Sequence, residues 1–565
     1  MKKFSIIILM AVLGIGGVRA QSLQEGINDI YAQRYKSAKG IFEKILASNP
    51  NNIDATYWIG QTYIEMDDVA GARAVYDKAL LASANAPLVI VGMGQVELLE
   101  NKISEARQRF EAAITMTRGR KGDDPVILNA VGRAITNTYT DKDKKGDINY
   151  AVQKLEEAAQ RDPKNADIFL NLGNAYRKAR PGEGGGQAFQ AYQRAVEANP
   201  NFAIAYYRTA QLFYSQRNWE LYEKYLNDAI TKDPRFAPAY YDLYYLKLGR
   251  DLNAAEQFAK KYLENTDPDP QNDYLRVQTL WAKKDFDAAI AGAKNIIAQA
   301  GAATKAKTYK LIADSYLQKK DTAAGKPYID DYFAKVKPED ITAKDYELKA
   351  MVYSAIPGQE EVVYNSFLDG VKADTVIENK VELLKAGAAY FKGKGQREKE
   401  GDLMAMLVSI KPKPSMTEMF DVGRAYYFGG AYEKSYDAWI KFAEKFPDEV
   451  YGWEWKLNNS KIIDSTKKDS IAVPDALKLL DFAQQDTAKY KKQFINAASF
   501  LAIYYANDAK DKDKAIEYLK KWQEVDEVNR ETIQKNIDIL SKSGNSTKPP
   551  TRAGTGSSEG KSTGK

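Results

Sequence analysis

ADIFLNLGNAYRKARPGEGGGQAFQAYQRAVEANP, residues 166–200, is the stretch whose reading decides the fold. Its small or apolar residues, Phe169, Leu172, Gly173, Tyr176, Ala188, Tyr192 and Ala195, fall three or four apart in two runs, the spacing of one buried stripe on each of two helices. Pro200 ends the second run, since proline cannot continue a helix. A second copy lies at Met416 to Pro447, where Met419, Val422, Gly423, Tyr426, Tyr432, Trp439 and Phe442 hold the same offsets. Helical hairpins of about 34 residues cannot bury their apolar faces alone, so a chain built from them must stack one on the next.

Working outward, small residues recur at Gly60, Gly94, Gly132, Gly173, Ala210, Gly387, Gly423 and Ala502, where two antiparallel helices must cross closely. Larger residues, among them Phe42, Tyr76, Phe110, Leu155, Tyr192, Leu226, Trp439 and Leu519, recur where the layer between helices must be filled. Prolines at Pro50, Pro163, Pro200, Pro234, Pro338, Pro412 and Pro447 mark the passage between hairpins. This pattern resembles the tetratricopeptide repeat over nearly the whole mature length. The resemblance implies an all-α protein, a right-handed superhelix (an α-solenoid) of about thirteen hairpins.

The expected organisation is a signal peptide over 1–20, an N-terminal array over 21–266, a C-terminal array over 267–540 with divergent repeats and a capping helix, and a disordered basic tail over 541–565. The leader reads from Lys2 and Lys3, an apolar run from Phe4 to Val18, and Ala20 at the cut. The run is shorter than the roughly 20 apolar residues of a span, and no later segment reads as membrane-crossing. The tail is Ser, Gly, Thr, Lys and Pro and cannot bury enough surface to offset its ordering entropy. Loop insertions are expected at 140–147, 181–186 and 459–473, with a break between sub-arrays near Asp267 to Asp273.

Composition removes several classes of chemistry. The 565 residues include no cysteine and no histidine, so thiol and imidazole nucleophiles, the Ser-His-Asp arrangement and the usual zinc sites are excluded. Cysteine is also missing just after the cut, where a bacterial lipoprotein would need it. The formal charge of +6 is concentrated in the leader and the tail, which holds five basic residues against Glu559. A near-neutral body lacks the basic face that nucleic acid demands. The segment Asp141 to Asp147 begins like a calcium loop but carries Lys145 at position five and Val152 at position twelve, where the bidentate glutamate belongs. Gly560-Lys561-Ser562 lacks the glycine spacing and preceding strand of a phosphate loop. No enzyme activity, metal or cofactor is expected.

In the repeats this chain resembles, positions 2, 5, 6, 9, 12 and 13 of the first helix line a concave groove. The resemblance places Asn129, Arg133, Asn171, Asn174, Arg177, Tyr207, Arg208, Gln211 and Tyr214 there as a partner-binding set. Asn and Arg supply several donors in fixed geometry, suited to carboxylates and peptide backbone. A solvated groove face is the alternative. The lysine that clamp-type members carry at position 5 is missing. Five triplets of Asp, then Ser or Thr, then an apolar residue or Thr, resemble a periplasmic O-glycosylation signal and nominate Thr322, Thr375, Ser465, Ser470 and Thr487; turn chemistry is the competing reading. The expected function is a non-enzymatic periplasmic scaffold holding a protein or peptide partner, an envelope or outer-membrane protein, within an assembly or secretion complex. A glycan-binding helical-repeat protein of nutrient uptake is the alternative, carried by the 37 tyrosines.

Overall fold

The computed structural model describes residues 23–83, 85–140, 142–466 and 470–542. These form helices throughout, with one isolated bridge between Gly119 and Gly122 and no strand among the described residues. The predicted signal peptide and residues 543–565 of the predicted tail lie outside them, while Ser541 and Lys542 are helical.

The chain divides into two compact units, Met1–Lys335 and Val336–Lys565. In the first, the hairpins are α1 (23–31) with α2 (Tyr35–Ser48), α3 (Ile53–Glu65) with α4 (Val69–Ala82), α5 (Pro87–Leu99) with α6 (Ile103–Thr117), and α7 (Pro125–Thr138) with α8 (Ile148–Arg161). They continue with α9 (Ala166–Ala179) and α10 (Gly185–Ala198), α11 (Ala203–Ser215) and α12 (Trp219–Lys232), α13 (Ala237–Leu248) and α14 (Leu252–Asn265), α15 (Tyr274–Ala282) and α16 (Phe286–Ala300), and α17 (Ala306–Gln318) and α18 (Thr322–Lys335). The second unit holds α19 (Ala343–Ser354) and α20 (Glu360–Ala373), α21 (Ile377–Gly393) and α22 (Arg397–Ile410), α23 (Met416–Phe428) and α24 (Tyr432–Lys445), α25 (Val450–Ile463) and α26 (Ala472–Gln484), α27 (Lys491–Asn507) and α28 (Lys512–Val525), and a closing helix α29 (Arg530–Lys542). Among the described residues that is fourteen hairpins and one cap, one hairpin more than the period implies.

The pairing read from the sequence is met atom by atom. A Cβ on Gly60 would lie 2.1 Å from the Tyr76 ring, one on Gly132 2.3 Å from Leu155, one on Gly173 2.3 Å from Tyr192 and one on Gly423 2.3 Å from Trp439. Each glycine therefore exists to let the filling side chain of its own hairpin lie flat against backbone. Those filling side chains are buried from Phe42 through Leu519. Aspartate or asparagine caps many of the helices, as where Asp68 accepts the Gly71 N–H at 2.8 Å and Asn52 that of Ala55 at 2.9 Å. The turn inside a hairpin repeats one backbone device. The residue just before the second helix's cap is left-handed at Gln33, Asp67, Asn101, Arg217, Lys284, Lys320 and Lys510, and glycine supplies it at Gly395 and Gly430. Side-chain identity at this position varies while the conformation does not, which is why composition gave no hint of it.

Three expectations about boundaries are corrected. The compact units separate at Lys335/Val336, not near Asp267, because packing is continuous there: the Tyr244 hydroxyl of α13 donates to the Leu275 carbonyl of α15 at 2.9 Å. The glycine-rich insertion is shorter than 181–186, since Gly185 and Gly186 already belong to α10. Gly184 sits where a Cβ would strike the Tyr176 carbonyl oxygen at 2.2 Å, so the glycines bring α10 close to the end of α9. The third insertion shrinks likewise, as α25 runs to Ile463 and α26 begins at Ala472.

Candidate functional site

In a stacked array each hairpin meets only its neighbours. The first unit departs from this rule. The start of α2 meets the segment after α14: Asp267 accepts the Lys36 N–H at 2.7 Å and the Ser37 hydroxyl at 2.6 Å, and the Lys36 ammonium reaches the Pro268 carbonyl at 3.2 Å. The residue at the N-cap of α2 is Arg34, whose side chain makes no cap bond. Asp267 thus caps α2 from 230 residues away, satisfying N–H groups that no intrahelical carbonyl can reach.

Arg34 is occupied elsewhere. Its guanidinium holds Asp29 through Nε at 2.9 Å and Nη2 at 2.5 Å, and Nη1 donates to the Arg235 carbonyl. Burial pushes the Asp29 carboxyl up, and Arg34 and Arg235 pull it back. Tyr31 packs edge-on against Phe202 with ring centroids 5.7 Å apart, and Ala32 joins the apolar cluster of Phe169, Tyr192 and Phe202. The first hairpin therefore closes one turn of this unit, with apolar contact, ion pairing and a helix cap all contributing.

Closure walls an interior cavity of about 1160 Å³, lined by Tyr31, Arg34, Trp58, Arg133, Asp167 and Phe202 among others. Its hub is Asp167, on the first turn of α9. One carboxylate oxygen accepts Asn129 Nδ2 at 2.6 Å, Arg133 Nη1 at 3.0 Å and Asn171 Nδ2 at 3.2 Å; the other accepts the Tyr31 hydroxyl. Asn171 also donates to Asn129 Oδ1 at 2.9 Å. Arg133 donates to the Tyr57 hydroxyl at 3.0 Å and stacks on Trp58, 4.3 Å from the ring centroid. Burial, reinforced by Asp167, drives the Tyr31 hydroxyl well above its ordinary range, so Tyr31 stays a proton donor.

The sequence-predicted residues fall into three groups. Asn129, Arg133 and Asn171 are buried and donate to Asp167, while Arg133 Nε is left without a hydrogen-bond partner; Asn129 and Arg133 also line the cavity. Asn174, Arg177 and Arg208 gather near Tyr192, whose hydroxyl donates to Asn174 Oδ1 at 2.8 Å. Arg208 is also the main charge holding down the Glu65 carboxyl, which burial would otherwise raise further. Tyr207 and Gln211 surround Asp242, with Gln211 Nε2 at 2.5 Å; burial pushes Asp242 up to about 6 against the hydroxyls of Tyr207 and Tyr222. Tyr214 is 51% exposed and lies against Trp219 and Tyr222.

Asp167 is the residue that sequence reasoning missed, although it holds position 2 of its helix and belonged to the groove positions by rule. Tyr31, Arg34 and Asp267 left no such signal, because their roles arise only when the turn closes. Among the glycosylation candidates, Thr322 is buried as the first residue of α18 and the Ser470 hydroxyl is paired with that of Tyr504. Thr487 is half-buried, while Thr375 and Ser465 are exposed. Asp321, Asp374 and Asp486 each accept a backbone N–H two or three residues on, so turn and cap chemistry accounts for their place in those triplets. No group of three or more Asp or Glu side chains poised to hold a metal occurs among the described residues.

Tetratricopeptide-repeat family models match residues 30–90 and 185–240, and a TPR repeat model matches 144–179. These segments carry tetratricopeptide repeats. All three matches fall in the first unit, where the repeat glycines and prolines are most regular. Tetratricopeptide repeat protein 1 of Schizosaccharomyces pombe is 38% identical over 58 residues, 10% of this chain and 6% of that protein's length. Among solved structures, the C-terminal part of a TPR repeat-containing protein from Cytophaga hutchinsonii is 23% identical, covering 46% of this chain and 98% of that one, with a TM-score of 0.25. A tetratricopeptide repeat protein from Parabacteroides merdae is 19% identical, with the same coverages and a TM-score of 0.36. Tetratricopeptide repeat proteins typically mediate protein and peptide interactions.

Proposed function

We propose that this chain is a non-enzymatic periplasmic scaffold that binds an envelope or outer-membrane protein, within an assembly or secretion complex, in the interior of its first unit. The observation that carries the reading is the cavity of about 1160 Å³ inside the closed turn. Its walls mix apolar surface from Trp58, Leu88 and Phe202 with backbone-pairing groups from Asn165, Asn199 and Asn201, the mixture an extended chain requires. The Asp167 network fixes the wall in place, so a partner meets a formed surface and loses less ordering entropy on binding. The leader-like residues 1–20 support export to the periplasm. Exposed Thr375 and Ser465 remain acceptors for O-glycosylation, read as a mass shift in protein from the native host.

Crosslinking in native envelopes followed by mass spectrometry tests the proposal. It should recover outer-membrane or secretion proteins through residues around the cavity. Glycan-array binding with no recovered protein would replace it with the sugar-capture reading.

A further inference from the structure

A second cavity, of about 340 Å³, lies in the first unit and shares Tyr207 with the groove positions; it is at the lower end of the size range of small-molecule sites. Four tyrosines line it: Tyr207 of α11, Tyr241 of α13, Tyr262 of α14 and Tyr274 at the start of α15. Gln33 completes the lining from the turn between α1 and α2.

Two cations enter this aromatic wall, Lys305 and Lys307, at the start of α17. The Lys307 ammonium stands 4.2 Å from the centre of the Tyr274 ring, and no carboxylate among the described residues forms an ion pair with it. Burial, with Lys305 adding repulsion, pulls the Lys307 ammonium down to about 8. A half-buried cation facing a second cation costs stability, and an arriving anion would offset that cost. The cavity's own acid, Asp242, does not serve this purpose, being taken by Gln211 at 2.5 Å and by the hydroxyls of Tyr207 and Tyr222. Gln271 and Asn272 are likewise engaged, with Gln271 Oε1 accepting the Lys305 N–H at 2.9 Å and Asn272 Nδ2 donating to the Asp267 carbonyl at 2.9 Å. These bonds fix the lysine-bearing segment to the segment that caps α2.

We infer that this cavity is a binding site for a small aromatic monocarboxylate, its carboxylate on Lys307 and Lys305 and its ring among Tyr207, Tyr241, Tyr262 and Tyr274. One negative charge fits and two do not, because Asp242 already places a carboxylate in the same cavity. The inference goes beyond the scaffold reading and needs no protein partner, so either can fail alone.

Calorimetric titration of the full chain with N-acetyl-L-tyrosine and with N-acetyl-L-tyrosinamide tests it. The acid should bind at least tenfold more tightly than the amide. Lys307→Met should lower the acid's affinity at least tenfold and leave the amide unchanged, and Lys305→Met should do the same more weakly, which guards against a misfolded single variant. Lys283→Met, which breaks an ion pair with Glu256 elsewhere, should change neither. A tetrapeptide ending in tyrosine that matches the acid would assign the carboxylate to a chain end, and one that binds more weakly would assign it to a free acid; both keep the site. Equal affinity for acid and amide, no heat with the acid, or tighter binding of D-galacturonate would overturn the inference.

Discussion

The two units are made of the same hairpin, yet the first ties its opening hairpin back to the segment after α14, 230 residues on. In the first, side-chain hydrogen bonds link residues 136 to 232 apart, from Tyr31–Asp167 to Lys36–Pro268. In the second, links span about one hairpin, as between Gln493 and Glu454, 39 positions apart. The difference teaches that the repeat dictates neighbour packing only. Closure is a separate property, written in a few polar residues that have no counterpart from one hairpin to the next.

The largest effect should come from opening the hub. Asp167→Ala would leave Arg133 buried beside Trp58 and Tyr57 without its carboxylate, a loss of about 3–5 kcal/mol. Denaturation followed by probes placed in each unit should show the first melting earlier and the second unchanged; a common shift would mean the units do not unfold independently. Overpacking the hairpins supplies the matching control. Gly173→Val and Gly423→Val drive carbon into Tyr192 and Trp439 respectively, and each should cost about 1–3 kcal/mol within its own unit. Equal losses there, beside unequal responses to hub and closure variants, would sharpen the contrast.

Asp267→Ala removes the distant cap of α2 and should cost about 1 kcal/mol. Faster amide exchange at Lys36 and Ser37 is the readout, and unaltered exchange would count against the cap. A further effect concerns pH. Asp242 rises from an ordinary value near 3.8 to about 6, so the folded chain holds a proton that the unfolded chain releases. Stability of the first unit should therefore fall as pH climbs from about 4 to 6 and then level off. Asp242→Asn should flatten this step, and a step that persists in the variant would place the titrating group elsewhere.

Much of the fold was legible in the sequence because its cause is local. Gly173 with Tyr192 and Gly423 with Trp439 are pairs within one hairpin, and their spacing alone announces the contact. The candidate site was legible only in part. Asn129, Arg133 and Asn171 were placed on the inner face by their helical positions, but what they face is Asp167, supplied by the next hairpin for Asn129 and Arg133. Arg208 shows the same limit: on the groove rule alone Arg208→Glu would weaken partner binding without disturbing the fold, yet the structure sets Arg208 near Glu65, so that variant would exchange attraction for repulsion between two carboxylates and destabilise the first unit. Tyr31, Arg34 and Asp267 were invisible because no period connects residues 230 apart. Left-handed turn residues such as Arg217 and Lys320 were hidden for a different reason, since backbone geometry there is imposed by the hairpin and not by the side chain.

Absence of native cysteine makes closure directly measurable. In a Ser37→Cys, Asp267→Cys chain the engineered thiols are the only two present, at positions whose native side chains hydrogen-bond at 2.6 Å. Closure predicts nearly complete disulfide formation under mild oxidation of the folded protein, with Ser37→Cys, Ser215→Cys remaining reduced as the unpaired control. Free thiols in both pairs, counted by mass after alkylation, would contradict a first unit that closes on itself.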